Sequence, residues 1–102
     1  KIKTAVMYVG GFFDAEDLYG PFQSYKAIEE NSNNYNTIVY GPWSHGDWAR
    51  TSKRQAVGNV YFGDDLSENY QKDVETVFFN YFLSFVFVLP ETGFEHYWVI
   101  FF

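Results

Sequence analysis

Apolar residues group first at Thr4 to Val9, a short run rich in strand formers that predicts a buried strand closed by Gly10-Gly11. From Ala15 to about Asn31 the pattern turns helical: Leu18, Phe22, Tyr25 and Ile28 recur at steps of four, three and three, which makes one apolar face. Asp14 and Asp17 stand where a helix start favours acids, and Gly20-Pro21 is expected to distort the first turn. The polar stretch Asn31-Ser32-Asn33-Asn34 reads as a loop. Asn36 to Tyr40 reads as a second strand, ended by Gly41-Pro42. Strand, helix and strand in this order predict a right-handed βαβ unit with parallel strands. Both strand exits then open on one sheet edge, where open α/β folds hold ligands. The exits carry Gly10 to Asp14 and Gly41 to His45, so an acid and a histidine distant in sequence are brought together.

Residues 46 to 64 read as a loop with one short strand near Asn59 to Phe62. A long helix is predicted to begin near Asp64 to Ser67. Its apolar stripe is Tyr70, Val74, Val77, Phe78, Tyr81 and Phe82, with Glu68, Lys72, Asp73 and Glu75 on the other face. Beyond Ser84, the runs Phe85 to Leu89 and Tyr97 to Phe102 are β-like and strongly apolar, separated by Pro90 and Gly93. As free ends they would invite aggregation, and they are expected to open a second, β-rich domain.

Composition sharpens this picture in three places. Aromatics are 24% of only 102 residues, more ring surface than so short a chain readily buries, so some rings are expected to pack against further protein. Net charge is −6, and the one tight basic group, Arg50, Lys53 and Arg54, is too small to track phosphates, which argues against nucleic acid as a partner. There are no cysteines, which excludes disulfides, thiolate zinc sites and cysteine nucleophiles. No apolar run reaches the length of a membrane span. The opening Lys1 to Val6 lacks a signal-peptide core and reads as a strand entered within a protein.

Asp14 and His45 are the sharpest candidates for chemistry. A serine hydrolase needs an acid that fixes the imidazole in one tautomer and stabilises the imidazolium formed during the reaction. The histidine takes the serine proton and returns it to the leaving group. None of the six serines lies in G-x-S-x-G; Ser44 comes nearest, with Gly46 two residues on, but Pro42 stands two residues before it. Spacing alone leaves a surface aspartate and a packing histidine as the default. Trp43, Trp48 and Tyr19 are candidates to line a pocket, although packing is the commoner role for such rings. His96 stands in the irregular tail, away from both motifs. Two histidines without cysteine make a zinc site improbable, and Gly10-Gly11 lacks the remainder of a phosphate-loop pattern.

The segment Gly11-Phe12-Phe13-Asp14-Ala15-Glu16-Asp17-Leu18-Tyr19-Gly20, followed by Gly41-Pro42-Trp43-Ser44-His45-Gly46, closely resembles one hydrolase clan. It comprises the bacterial α-amino-acid ester hydrolases, glutaryl (cephalosporin) acylases, cocaine-esterase-like enzymes and X-Pro dipeptidyl-peptidases. Their pattern is G-[WF]-[FYW]-D and then, after about thirty residues, G-P-W-x-H. The resemblance implies that Asp14 is the triad acid and His45 the triad base. In this fold the chain order is serine, acid, histidine, so the nucleophile is expected upstream of Lys1. Glu16 and Asp17 match positions that, in the α-amino-acid ester hydrolases, belong to a carboxylate cluster holding the substrate's α-ammonium group. An acidic first turn facing a helix dipole is the plainer explanation of the same two residues. The resemblance covers about residues 4 to 83. After that, Leu89-Pro90-Glu91-Thr92-Gly93 and Trp98 look like pieces of the clan's jelly-roll-like domain with residues dropped between them.

The expected fold class is therefore α/β: a three-layer α/β/α sandwich, here a partial α/β-hydrolase fold made of a βαβ unit and a following helix. Residues 1–83 would be the C-terminal part of the catalytic domain and 84–102 the start of a jelly-roll-like β domain. The expected function is that of part of a serine hydrolase cleaving ester or amide bonds through an acyl-enzyme, with Glu16, Asp17, Trp43 and Tyr19 contacting a small-molecule or peptide substrate. No cofactor and no metal are expected, and a homo-oligomer is left open. By resemblance alone a secreted or periplasmic location is expected; the residues themselves assign no compartment. The other class of function is a non-catalytic interaction module that keeps the fold and binds peptide or glycan through its aromatics.

Overall fold

The computed structural model describes residues 2–50 and 53–87. Strand β1 (Val6–Gly11) leads through a turn-rich segment into helix α1 (Gly20–Asn31) and then strand β2 (Asn36–Gly41). The two strands pair in parallel, in register from Val6 opposite Asn36 to Gly11 opposite Gly41. β1 thus keeps both glycines that were expected to end it. Gly11 explains why: a Cβ there would collide with the carbonyl oxygen of Trp43, so only a residue without one lets the two chain segments close up. The ladder then runs on past the strand ends, with Phe12 N–H on the Gly41 carbonyl (2.9 Å) and Phe13 N–H on that of Trp43 (3.1 Å).

Helix α1 begins at Gly20, five residues later than its apolar spacing predicts. The aspartates are the reason. Asp14 Oδ1 accepts the N–H groups of Glu16 (2.8 Å) and Asp17 (2.9 Å), and Asp17 Oδ1 accepts that of Gly20 (2.6 Å). Each side chain takes backbone donors a helix would have used and folds a tight turn instead. Pro21, expected to distort the first turn, stands at the helix start, where its missing N–H costs nothing. Of the anticipated apolar face only Ile28 is buried; Leu18 and Phe22 are exposed, and Phe22 stacks on Tyr40 with ring centroids 4.2 Å apart.

After β2 a loop with one 3₁₀ turn (Asp47–Ala49) leads to a two-residue-a-side hairpin, β3 (Ala56–Val57) and β4 (Val60–Tyr61), paired antiparallel. The single strand expected near Asn59 to Phe62 is thus one arm of that hairpin. Helix α2 (Leu66–Tyr70) starts at Asp65, whose carboxylate accepts from Ser67 and Glu68 N–H. It passes through one π turn (Gln71–Glu75) into helix α3 (Thr76–Phe87). Thr76 closes the π turn by donating both its N–H and its Oγ1 to the Gln71 carbonyl. The wide turn has a packing consequence. A series at steps of four drifts round a regular α-helix, and one turn with more residues offsets the drift. Tyr70, Val74, Phe78 and Phe82 consequently all meet the core, whereas Val77 and Tyr81 of the anticipated stripe face outwards.

α3 runs through Phe87, so Phe85 to Phe87 continue a helix where a strand was expected. Extending a helix already formed adds a hydrogen bond for each residue ordered, and an apolar run alone does not distinguish helix from strand. The remaining segments assigned to a β-rich domain, with His96 and Trp98, lie outside the described residues. The core itself comprises Met7 and Val9 of β1, Trp43 of the loop after β2, and Tyr70 and Phe78 of the helices. It pins the loop that carries His45 between sheet and helix.

Candidate active site

The two strand exits meet at Asp14 and His45. Asp14 sits in the turn after β1, its N–H on the Gly11 carbonyl (3.1 Å). Its side chain is 2% exposed, and Oδ2 lies 2.9 Å from His45 Nδ1, across 31 residues of sequence. With Asp14 ionised, Nδ1 carries the proton and donates it, which leaves Nε2 as the free base of the ring. Half of the imidazole is open: the His45 side chain is 48% exposed. Among the described residues no serine hydroxyl is hydrogen-bonded to it.

The charges are arranged to keep this polarity. Burial by itself would raise the Asp14 carboxyl, but the N–H groups of Asp17 and Glu16 and the bond from His45 outweigh it, and the carboxyl stands below its ordinary value. The same hydrogen bond lifts His45 above the ordinary imidazole value, against some desolvation. The negative charges of Asp14 and Glu16 add to the rise, and Arg50 opposes it.

The remaining sequence candidates fall into two groups. Glu16 stands beside the pair, its Oε2 3.9 Å from His45 Nε2, and its carboxylate is largely in solvent. Asp17 is exposed, with one oxygen occupied by Gly20 N–H. Tyr19 is exposed as well. Trp43, by contrast, is buried under the histidine loop, edge-on to Tyr70 and Trp48, and its indole N–H has no partner among the described residues. Trp48 presents its edge to the His45 ring at 6.3 Å.

Three residues with a structural part in the site carried no sequence signal of it. Tyr40 donates to the Leu18 carbonyl (2.9 Å), and burial with the charges of Asp17 and Asp14 pushes its hydroxyl up. Asp47 and Arg54 pair beneath the loop. In sequence Arg54 is only one of a small basic group; a partner in space cannot be seen from local charge.

A mainly apolar recess of about 460 Å³ is lined by Val9, Gly46, Trp48, Ala49, Tyr70 and Phe79, with Glu75 raised by burial at its wall. His45 does not line it, so the acid–imidazole pair and not the recess marks the candidate site. Among the described residues no cluster of three or more His, Cys, Asp or Glu is arranged to hold a metal ion, and no helix is long and apolar enough to cross a membrane.

The fold has a counterpart among solved structures, which supports a relation to hydrolases at the general level of a peptidase. The chain is similar to the crystal structure of an aminopeptidase from the marine sediment archaeon Thaumarchaeota archaeon, with 25% sequence identity and a TM-score of 0.72 over 98% of this chain. It spans 16% of the length of that aminopeptidase. No family model and no curated protein sequence matches it.

Proposed function

We propose that this chain supplies the acid and the base of a serine hydrolase with an α/β-hydrolase fold, acting on ester or amide bonds through an acyl-enzyme. One observation carries the reading: a buried carboxylate, held ionised by two backbone N–H groups, orients an imidazole whose second nitrogen is free and open. That is the geometry a general base requires. In the forward step His45 Nε2 accepts the proton of an attacking serine, and the resulting imidazolium is stabilised by Asp14. The proton then passes to the leaving alcohol or amine. The nucleophile and the oxyanion donors would come from residues other than these. The likeness to an aminopeptidase supports a hydrolase of this general kind.

On this reading the substrate is α-amino-acyl. Glu16 brings a solvent-facing carboxylate next to the imidazole, and Asp17 adds a second on the same turn. Carboxylates so close to the reacting bond would hold a substrate ammonium by charge-assisted hydrogen bonds. Tyr19, exposed on the same turn, would border it. In the natural polypeptide carrying these residues, kcat/KM for an α-amino-acyl ester should exceed that for its des-amino analogue by about tenfold to a hundredfold. Glu16→Gln should erase most of that preference while sparing the des-amino ester. Equal rates for both esters in the wild-type protein would remove the amino-acyl assignment; no hydrolysis above a His45→Ala control would remove the hydrolase.

The exposed rings Phe12, Phe13, Tyr19 and Phe22 favour a second reading, an interaction module binding peptide or glycan. Such a module has no use for an ionised acid aimed at an imidazole, and for that reason the hydrolase is preferred.

A further inference from the structure

The imidazole of His45 has one strong contact, to Asp14, a solvent-facing carboxylate of Glu16 3.9 Å from Nε2, and a ring 6.3 Å away at Trp48. Such contacts do not fix a side chain whose backbone is free to move. The backbone is fixed from below. Asp47 is buried, and its Oδ2 accepts Ser44 N–H at 3.3 Å, while Asp47 N–H donates to the Ser44 carbonyl at 3.1 Å. These bonds close a turn with His45 and Gly46 at its centre, Gly46 in the left-handed region at φ 73°. Arg54 Nη1 bridges Asp47 Oδ2 and Ser44 Oγ, the latter at 2.7 Å. On the other side the Asp47 carbonyl accepts the hydroxyl of Ser67 at 2.8 Å, from the most deeply buried side chain of helix α2.

We propose that Asp47, clasped by Arg54, is a positioning residue for His45: it closes the Ser44–Asp47 turn and so holds the imidazole against Asp14. The inference rests on the reading of Asp14 and His45 as an acid–base pair and adds two residues to it. Asp47 touches neither the imidazole nor any reacting atom. It acts only through the backbone.

Charge makes positioning separable from simple electrostatics. The charged groups around His45 are Asp14, Glu16 and Arg50, with Asp47 and Arg54 behind the loop. Through space, removing the Asp47 charge would lower the imidazole's titration midpoint, and removing the Arg54 charge would raise it. If the clasp positions the ring, both removals loosen the bond to Asp14 and both lower the midpoint. Arg54 makes its two contacts through one nitrogen, so a lysine ammonium with three donors serves them too.

The test follows both ring nitrogens of His45 by nitrogen-15 NMR across pH in the natural polypeptide carrying these residues. The variants are Asp14→Asn, Asp47→Asn, Arg54→Ala and Arg54→Lys, each with its thermal midpoint recorded. The expectation is that Asp47→Asn and Arg54→Ala move the His45 midpoint down, in the direction set by Asp14→Asn. Exchange of the Nδ1 proton should quicken about tenfold, the population change one charge-assisted hydrogen bond sustains. Arg54→Lys should stay with wild type. A merely structural role would lower thermal midpoints and leave the His45 titration and exchange where they were, and that result overturns the proposal. An upward shift in Arg54→Ala overturns it as well. Should Asp47→Asn fail to fold, Arg54→Ala, at a partly exposed side chain, decides alone. If Asp14→Asn itself leaves His45 unchanged, the acid–base reading falls, and this inference with it.

Discussion

At the scale of single residues the candidate site turns on one hydrogen bond and the charges that polarise it. Asp14 is depressed below the ordinary carboxylate value, so what it contributes to stability is present above the unfolded value of about 3.9 and lost as pH falls through its folded value. His45 is raised, so its contribution is complete below the unfolded value of about 6.5 and lost as pH rises through its folded value. The pair therefore favours the folded chain most in a window of roughly pH 4 to 6.5. Urea titrations of wild type and His45→Gln should differ most inside that window and converge at both ends; a difference independent of pH would contradict the pairing. These two residues were legible in the sequence because each closes a strand exit, and parallel strands put both exits on one edge. The clasp was not. Asp47 and Arg54 lie in a loop without periodicity, and their pairing depends on how the chain returns after the 3₁₀ turn.

At the scale of elements, the close approach of the β1 exit to the Trp43 loop brings acid and base within reach. Gly11 permits it. In Gly11→Ala the new methyl would press on a backbone carbonyl, which cannot turn aside as a flexible side chain can. The cost should be about 1–3 kcal/mol by chemical denaturation, with the His45 titration moving down as the exits part. An alanine variant as stable as wild type would mean the approach is not needed. Pattern reading located the two paired strands and the helix between them, and missed where elements start and turn. The apolar spacing before Gly20 carries a helical signal, but the side chains of Asp14 and Asp17 capture the backbone donors first. The π turn is invisible to a fixed period of 3.6, which is why Val77 and Tyr81 of the long helix's anticipated stripe face outwards. Phe85 to Phe87 could be assigned only by knowing that a helix already precedes them.

At the scale of the whole molecule, the exposed rings and the free Nε2 point outwards to the same need. Phe12, Phe13, Leu18, Tyr19 and Phe22, on the same stretch of chain as the carboxylates, are exposed apolar side chains. In the hydrolase reading, further protein carrying the nucleophile covers that side and closes the site. This chain spans 16% of the aminopeptidase it is similar to, a share consistent with such a division of labour. The central claim, that His45 is the base of a serine nucleophile, is most directly tested by trapping. The natural polypeptide containing these residues would be treated with a fluorophosphonate and the adduct located by mass spectrometry, beside the His45→Ala variant and residues 1–102 alone. The account predicts one labelled serine in the natural polypeptide, labelling slowed at least about a thousandfold by His45→Ala, and none on residues 1–102. Labelling at the same rate without His45, or no labelled serine in the natural polypeptide, would contradict it.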